Sequence, residues 1–308
     1  YAALYDSNPQ KNDADSIKQV KLYLNGGTFT AINSGTEAVY SEDCTKFVNN
    51  GTFSSDVSRY CMDYRVVSKN EDGTYTIVAD QYATVENPGE APFTASSLSN
   101  AFSKVKEGGT ITLLKDVPAT SATYSNNKKS CTLDLNGHTV DSTKFATLNV
   151  TKYVSSTTED YAQVVVKNGT IRNSYNGSAD PLGVAVYADQ SVNLTLENVT
   201  LEAAPLTTGV PGYGLRVGNT ATNGKRNPTV TVRGAETVIK GTDAGISVIA
   251  SPERGTSSLV LEDGVVEGAH FGIVGNWECD GTNITVTGGT VRATDADGCA
   301  LYHPQDGD

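Results

Sequence analysis

The chain has 308 residues and a formal net charge of −12, with 38% hydrophobic and 19% charged residues. That is enough apolar matter for a sizeable core and too little charge for general disorder. The acidic balance argues against nucleic-acid binding, which needs clustered Lys and Arg, and no apolar run approaches the roughly 18 residues of a membrane-spanning helix. Thr (37), Val (32) and Gly (30) are the commonest residues and Asn reaches 23, against one Met and one Trp. Thr and Val favour strands, while Gly and Asn favour turns, so the composition predicts an all-β chain.

Residues 1–64 carry short strand phrases: AALYD at 2–6, LYLNGGTF at 22–29, EAVYS at 37–41 and KFVNNGTF at 46–53. They are expected to form terminal coils of a repeat. Residues 65–92 break the pattern. They hold KNEDGTYTIV, which predicts a hairpin about Asp72–Gly73, and VENPGEAP, a linker by composition. Residues 96–107 give the best helix signal, with Leu98, Ala101, Phe102 and Val105 at i, i+3, i+4 and i+7. Ser96 or Ser97 can cap it, and Gly108–Gly109 end it. The expectation is a capping helix at the start of a second region, 93–308.

In that region one phrase recurs as VVVKNGTI at 164–171, LTLENVTL at 194–201, VTVRGAETVI at 230–239, LVLEDGVV at 259–266 and ITVTGGTV at 284–291. A second phrase lies between its copies: VAVYA at 184, GLRVG at 214, GISVI at 245, GIVGN at 272 and ALYHP at 300. These starts are 30, 31, 27 and 28 residues apart. A meander of hairpins would need turns every 8–12 residues or so and would hold no long common period. Two phrases in step predict a solenoid in which equivalent strands of successive coils stack into parallel sheets. Each phrase alternates apolar and polar positions, so one face points into a shared core.

Five stretches resemble a known family: NNGTFSSDVSRYC at 49–61, EDGTYTI at 71–77, GGTITLLKDV at 108–117, TLDLNGHTV at 132–140 and CALYHPQ at 299–305. They look like the pectate-lyase-like right-handed parallel β-helix modules of large surface proteins from Gram-positive gut bacteria. The resemblance implies an exported, extracellular protein at the bacterial cell surface. It does not fix the activity, because that fold hosts lyases, glycosidases, adhesins and stalks.

Candidate chemistry is sparse. Glycosidases need two carboxylates about 5–10 Å apart, and stacked coils bring equivalent residues together, so Asp243, Glu278 and Asp280 are the candidate acids of an enzymatic reading. Trp277, in the loop NWECDG, offers a face for the apolar side of a sugar. Tyr187, Tyr213 and Tyr302 recur at the second phrase and form a candidate ladder for binding glycan or protein. His138, His270 and His303 lack partners at metal-ligand spacing and read as turn residues. The acids Asp295–Asp297 and Glu262–Asp263 lack the oxygen-ligand spacing of an EF-hand loop and read as solvated turn acids, so no cofactor and no metal ligands are expected, with Ca²⁺ as the alternative. Cys44 and Cys61 are candidates for a disulfide across one coil.

The expected function is a non-enzymatic stalk or adhesin that binds host or bacterial glycans or surface proteins. The alternative is a carbohydrate-active enzyme, a glycosidase or polysaccharide lyase. AALYDSNPQ at 2–10 and CALYHPQDGD at 299–308 carry the same phrase. Residues 1–64 are therefore expected to finish the coil of a preceding module or to cap the C-terminal coil of a neighbour, giving head-to-tail self-association.

Overall fold

The computed structural model describes the chain except residues 1, 8–21, 34, 63, 153–159, 178–181, 219–225, 251–254, 276–280 and 304–308. The fold is all-β with one α-helix among the described residues, Leu98–Lys104. The chain divides into two compact units, residues 1–81 and 82–308. The stretch expected as hairpin and linker is split between them. Strands Arg65–Lys69 and Tyr75–Ala79 pair antiparallel about Gly73 and join the first unit, because Tyr75 and Thr76 pair with Phe53 and Thr52. Strand Ala83–Glu86 belongs to the second unit.

In the first unit Leu4–Asp6 pairs in parallel with Val39–Ser41, and Leu24–Phe29 with Val48–Phe53. Equivalent side chains stack: Tyr5 lies on Tyr40 with ring centroids 5.3 Å apart, and Phe29 on Phe53 at 5.2 Å. Leu24, Val39, Phe47, Val48, Phe53, Val57, Tyr60 and Ile77 make its core.

The second unit contains three parallel ladders of seven strands each, visited in the same order on every pass. The first begins at Gly109–Leu113 and ends at Thr282–Val286; the second runs from Val117–Thr120 to Thr290–Ala293; the third from Tyr124–Ser125 to Cys299–Tyr302. The first sequence phrase therefore makes two ladders, separated by a corner, and the second phrase makes the third. At the corner the backbone must enter the left-handed region, which Asn and Gly tolerate best. Asn136, Asn168 and Asn198 take φ of 49°, 60° and 50°, and Gly234, Gly264 and Gly289 take 89°, 97° and 83°. This is the physical use of the Asn and Gly residues in the middle of the first phrase.

Inward columns carry the core. Ile111, Leu133, Val166, Leu196, Val232 and Leu261 follow one another strand by strand, and all are buried. Leu148, Val186, Leu215, Ile246 and Ile273 do the same on the third ladder. Each such side chain contributes about 1.5–3 kcal/mol of burial. The columns continue into Val286 and Leu301, where exposure rises to 46% for each. At the opposite end, Ala83–Glu86 pairs antiparallel with Gly109–Leu113, and Phe93–Ala95 pairs antiparallel with Ala83–Glu86. The helix then lays Leu98, Ala101 and Phe102 onto the core; its N-cap, Ser97, accepts a hydrogen bond from the Asn100 amide. Antiparallel pairing there stops further parallel growth.

Outward columns on the second ladder alternate in charge. Asp141, Arg172, Glu202, Lys240, Glu267 and Arg292 are consecutive partners over six strands. On the first ladder Asp134, Lys167, Glu197 and Arg233 alternate likewise.

Candidate functional site

The turns that lead into the third ladder gather a cluster of titratable side chains, with a histidine at its centre, that spans three successive passes. Asp243 precedes Ala244, His270 precedes Phe271, and Ala244 pairs with Phe271, so the two turn residues meet one above the other. The Nδ1 atom of His270 lies 2.6 Å from Asp243 Oδ1, and Nε2 lies 3.4 Å from Asp295 Oδ2 in the next turn. Tyr213, on the preceding strand, is hydrogen-bonded to Asp243. Backbone bonds hold the turns in place: the His270 and Phe271 amides donate to the Asp243 carbonyl, and the Cys299 amide donates to the His270 carbonyl.

The electrostatics follow from this stacking. The Asp243 bond holds His270 above its ordinary range, and the charges of Asp243, Asp295 and Asp297 act in the same direction. Burial, then the Asp243 carboxylate, push the Tyr213 phenol up to about 12. Tyr213 therefore stays protonated at neutral pH. The cluster combines a phenol donor, two carboxylates and an imidazole that is 55% exposed. Such a set can accept hydrogen bonds from hydroxyls or ammonium groups and can hold a proton between two carboxylates. Among the described residues no group of three or more His, Cys, Asp or Glu is arranged to hold a metal ion.

The sequence-derived candidates fare unevenly. Asp243 is in the cluster. Trp277, Glu278 and Asp280 lie outside the described residues. Tyr187 is buried and belongs to a small cluster with Ala146, Leu182 and Val184, against which Phe145 and Tyr213 pack. It is not an open rung of a tyrosine ladder. Tyr302 is 39% exposed and stacks on Phe271 at 5.3 Å with an interplanar angle of 22°. Stacking of this kind covers one face of the Tyr302 ring with Phe271.

The proposed bridge between Cys44 and Cys61 is not formed; both are free thiols packed against the first unit's core. Burial raises both thiols above their ordinary range, the behaviour of small apolar fillers. His138 does touch an acid, Asp116, at 3.2 Å, and Asp116 also accepts from the Thr139 amide, which fits a turn-fixing role. By sequence pattern His270 and Asp295 are ordinary turn residues. The signal that finds them is the repeat itself: Asp243, His270 and Asp295 stand 27 and 25 residues apart, close to one pass.

Among the described residues no helix is long and apolar enough to cross a membrane. Comparison with known proteins finds no family model, no curated protein and no solved structure that matches this chain.

Proposed function

We propose that the chain is a right-handed parallel β-helix module of an exported bacterial surface protein, serving as stalk and adhesin toward glycans or surface proteins. The observation that carries the fold part is the register: seven strands per ladder pair in parallel, each with the strand one pass later. A strand, crossover, parallel-strand unit is right-handed in about 98% of cases, which supports the handedness. Seven strands at the interstrand spacing give the second unit a ladder roughly 30 Å long. Repetitive burial and alternating charge suit a stiff spacer. Exposed polar turns, with Asp243, His270 and Asp295 among them, suit contact with a polar partner.

One observation favours a second reading as a carbohydrate-active enzyme: Asp243 and Asp295 flank His270 within reach of both ring nitrogens. A glycan array run beside a hydrolysis assay on mucin and plant polysaccharides separates the two. Binding without turnover supports the adhesin. Turnover lost in Asp243→Asn supports the enzyme. Neither binding nor turnover leaves the stalk reading alone. Head-to-tail association through residues 1–64 and the C-terminal coil is tested by light scattering before and after deletion of those residues, where an unchanged monomer contradicts it.

A further inference from the structure

The cluster of Asp243, His270 and Asp295 has a consequence that holds whichever function is correct. We propose that His270 is a proton-operated clasp that fastens residues 294–302, the closing part of the last described pass of the second unit, to the turns beneath them. The geometry is specific. Asp243, His270 and Asp295 sit in three successive turns, and one imidazole reaches the turn below at 2.6 Å and the turn above at 3.4 Å. A neutral imidazole has one N–H, so it can donate to one carboxylate at a time. An imidazolium has two N–H groups and can donate to both. Protonation therefore converts a two-turn contact into a three-turn contact.

The last pass is where such a clasp matters. Its core positions are the least buried of their columns: Val286 and Leu301 are each 46% exposed, while their partners Leu261 and Ile273 are fully buried. Weakly buried strands open locally at low free-energy cost, so a side-chain bridge decides how often they do so. Among the described residues, the charged and titratable groups facing His270 are Asp243 from below, Asp295 and Asp297 from above, and Tyr213 through Asp243. All three carboxylates favour the imidazolium, and no cation is among them. Because the folded-state affinity for the proton exceeds the unfolded one, the stabilisation is complete below the ordinary histidine pKa of about 6.5 and is lost as pH rises through the higher folded value. The clasp is closed in mild acid and open in mild base.

The test is amide exchange of residues 294–302 as a function of pH, corrected for intrinsic rates, beside an NMR titration of the histidine ring resonance that disappears in His270→Gln. In the natural chain the ring should titrate above about 6.5, and protection of 294–302 should fall several-fold as pH rises through that midpoint. In His270→Gln protection should be low and flat with pH. Asp295→Asn, which keeps the Asp243 contact, should lower the midpoint and flatten protection too; it also serves if the glutamine variant does not fold. The same pH profile in the variants as in the natural chain, or a ring that titrates at its ordinary value, overturns the proposal.

Discussion

Arg292 stands one strand beyond Glu267, with its Nε 2.6 Å from a Glu267 carboxylate oxygen, and Glu267 in turn faces Lys240 on its other side. A single acid therefore separates two cations in a column of six alternating charges. Isolated exposed pairs are worth about 0–1 kcal/mol, and networks somewhat more. Alternation adds specificity, because a slip of one pass would set like charges together. Glu267→Lys, which lines up three cations, should lower the melting temperature by a few degrees at low salt, with part of the loss recovered in high salt. An unchanged melting temperature at both salt concentrations would show that the column carries no energy.

Core substitutions should separate positions that the repeat makes equivalent. Leu261→Ala removes a fully buried side chain one pass before the end of a column and should cost about 2–5 kcal/mol. Val286→Ala, in the same column but 46% exposed, should cost under about 1 kcal/mol, roughly the worth of the methyl groups it still buries. Denaturant melts of the two variants make the comparison. Equal losses would place Val286 inside a closed core.

The corner separates glycine from asparagine. At Gly264 φ is 97°, and an added Cβ would lie 2.5 Å from the Thr237 carbonyl oxygen. Gly264→Val should therefore cost well over the about 1–2 kcal/mol of left-handed strain alone. Asn198→Gly, at a position already left-handed, should be nearly neutral. A neutral Gly264→Val by thermal unfolding would contradict the corner geometry.

Cys131 sits on the first ladder, buried, and its thiol is pushed up to about 12, chiefly by desolvation. At pH 8 almost none of it is thiolate in the folded chain, and the thiolate is the reactive form. Alkylation followed by mass spectrometry should label Cys131 only after denaturation. Prompt labelling of the native protein would mean that this strand opens readily or packs elsewhere.

Sequence reading recovers what periodicity carries. Leu215, Ile246, Ile273 and Leu301 recur at nearly one spacing, so their stacking is visible without a structure. The helix is visible too, because Leu98, Ala101 and Phe102 obey a different period. The corner that splits the first phrase into two ladders is harder to see, since Asn168 and Gly264 look like ordinary turn residues until their φ values are known. The division at 81/82 escapes for another reason: whether the hairpin pairs with Phe53 or runs on as linker depends on long-range pairing rather than on local pattern. His270 escapes because its partners lie in turns, which local patterns score as solvent, and only stacking makes them neighbours.

The stacking order is tested most directly by distances between spin labels on the outward column Thr132, Val165, Thr195, Thr231, Val260 and Thr285, which are consecutive partners on the first ladder. With one label fixed at 285 and the other moved from 195 to 165 to 132, the backbone separation should grow by about 4.8 Å at each step, reaching roughly 24 Å for 132. A steady rise of one interstrand spacing per pass is the signature of parallel coils in sequence order. Distances that fail to rise steadily, or that bring 132 closer to 285 than 195 is, would contradict the solenoid.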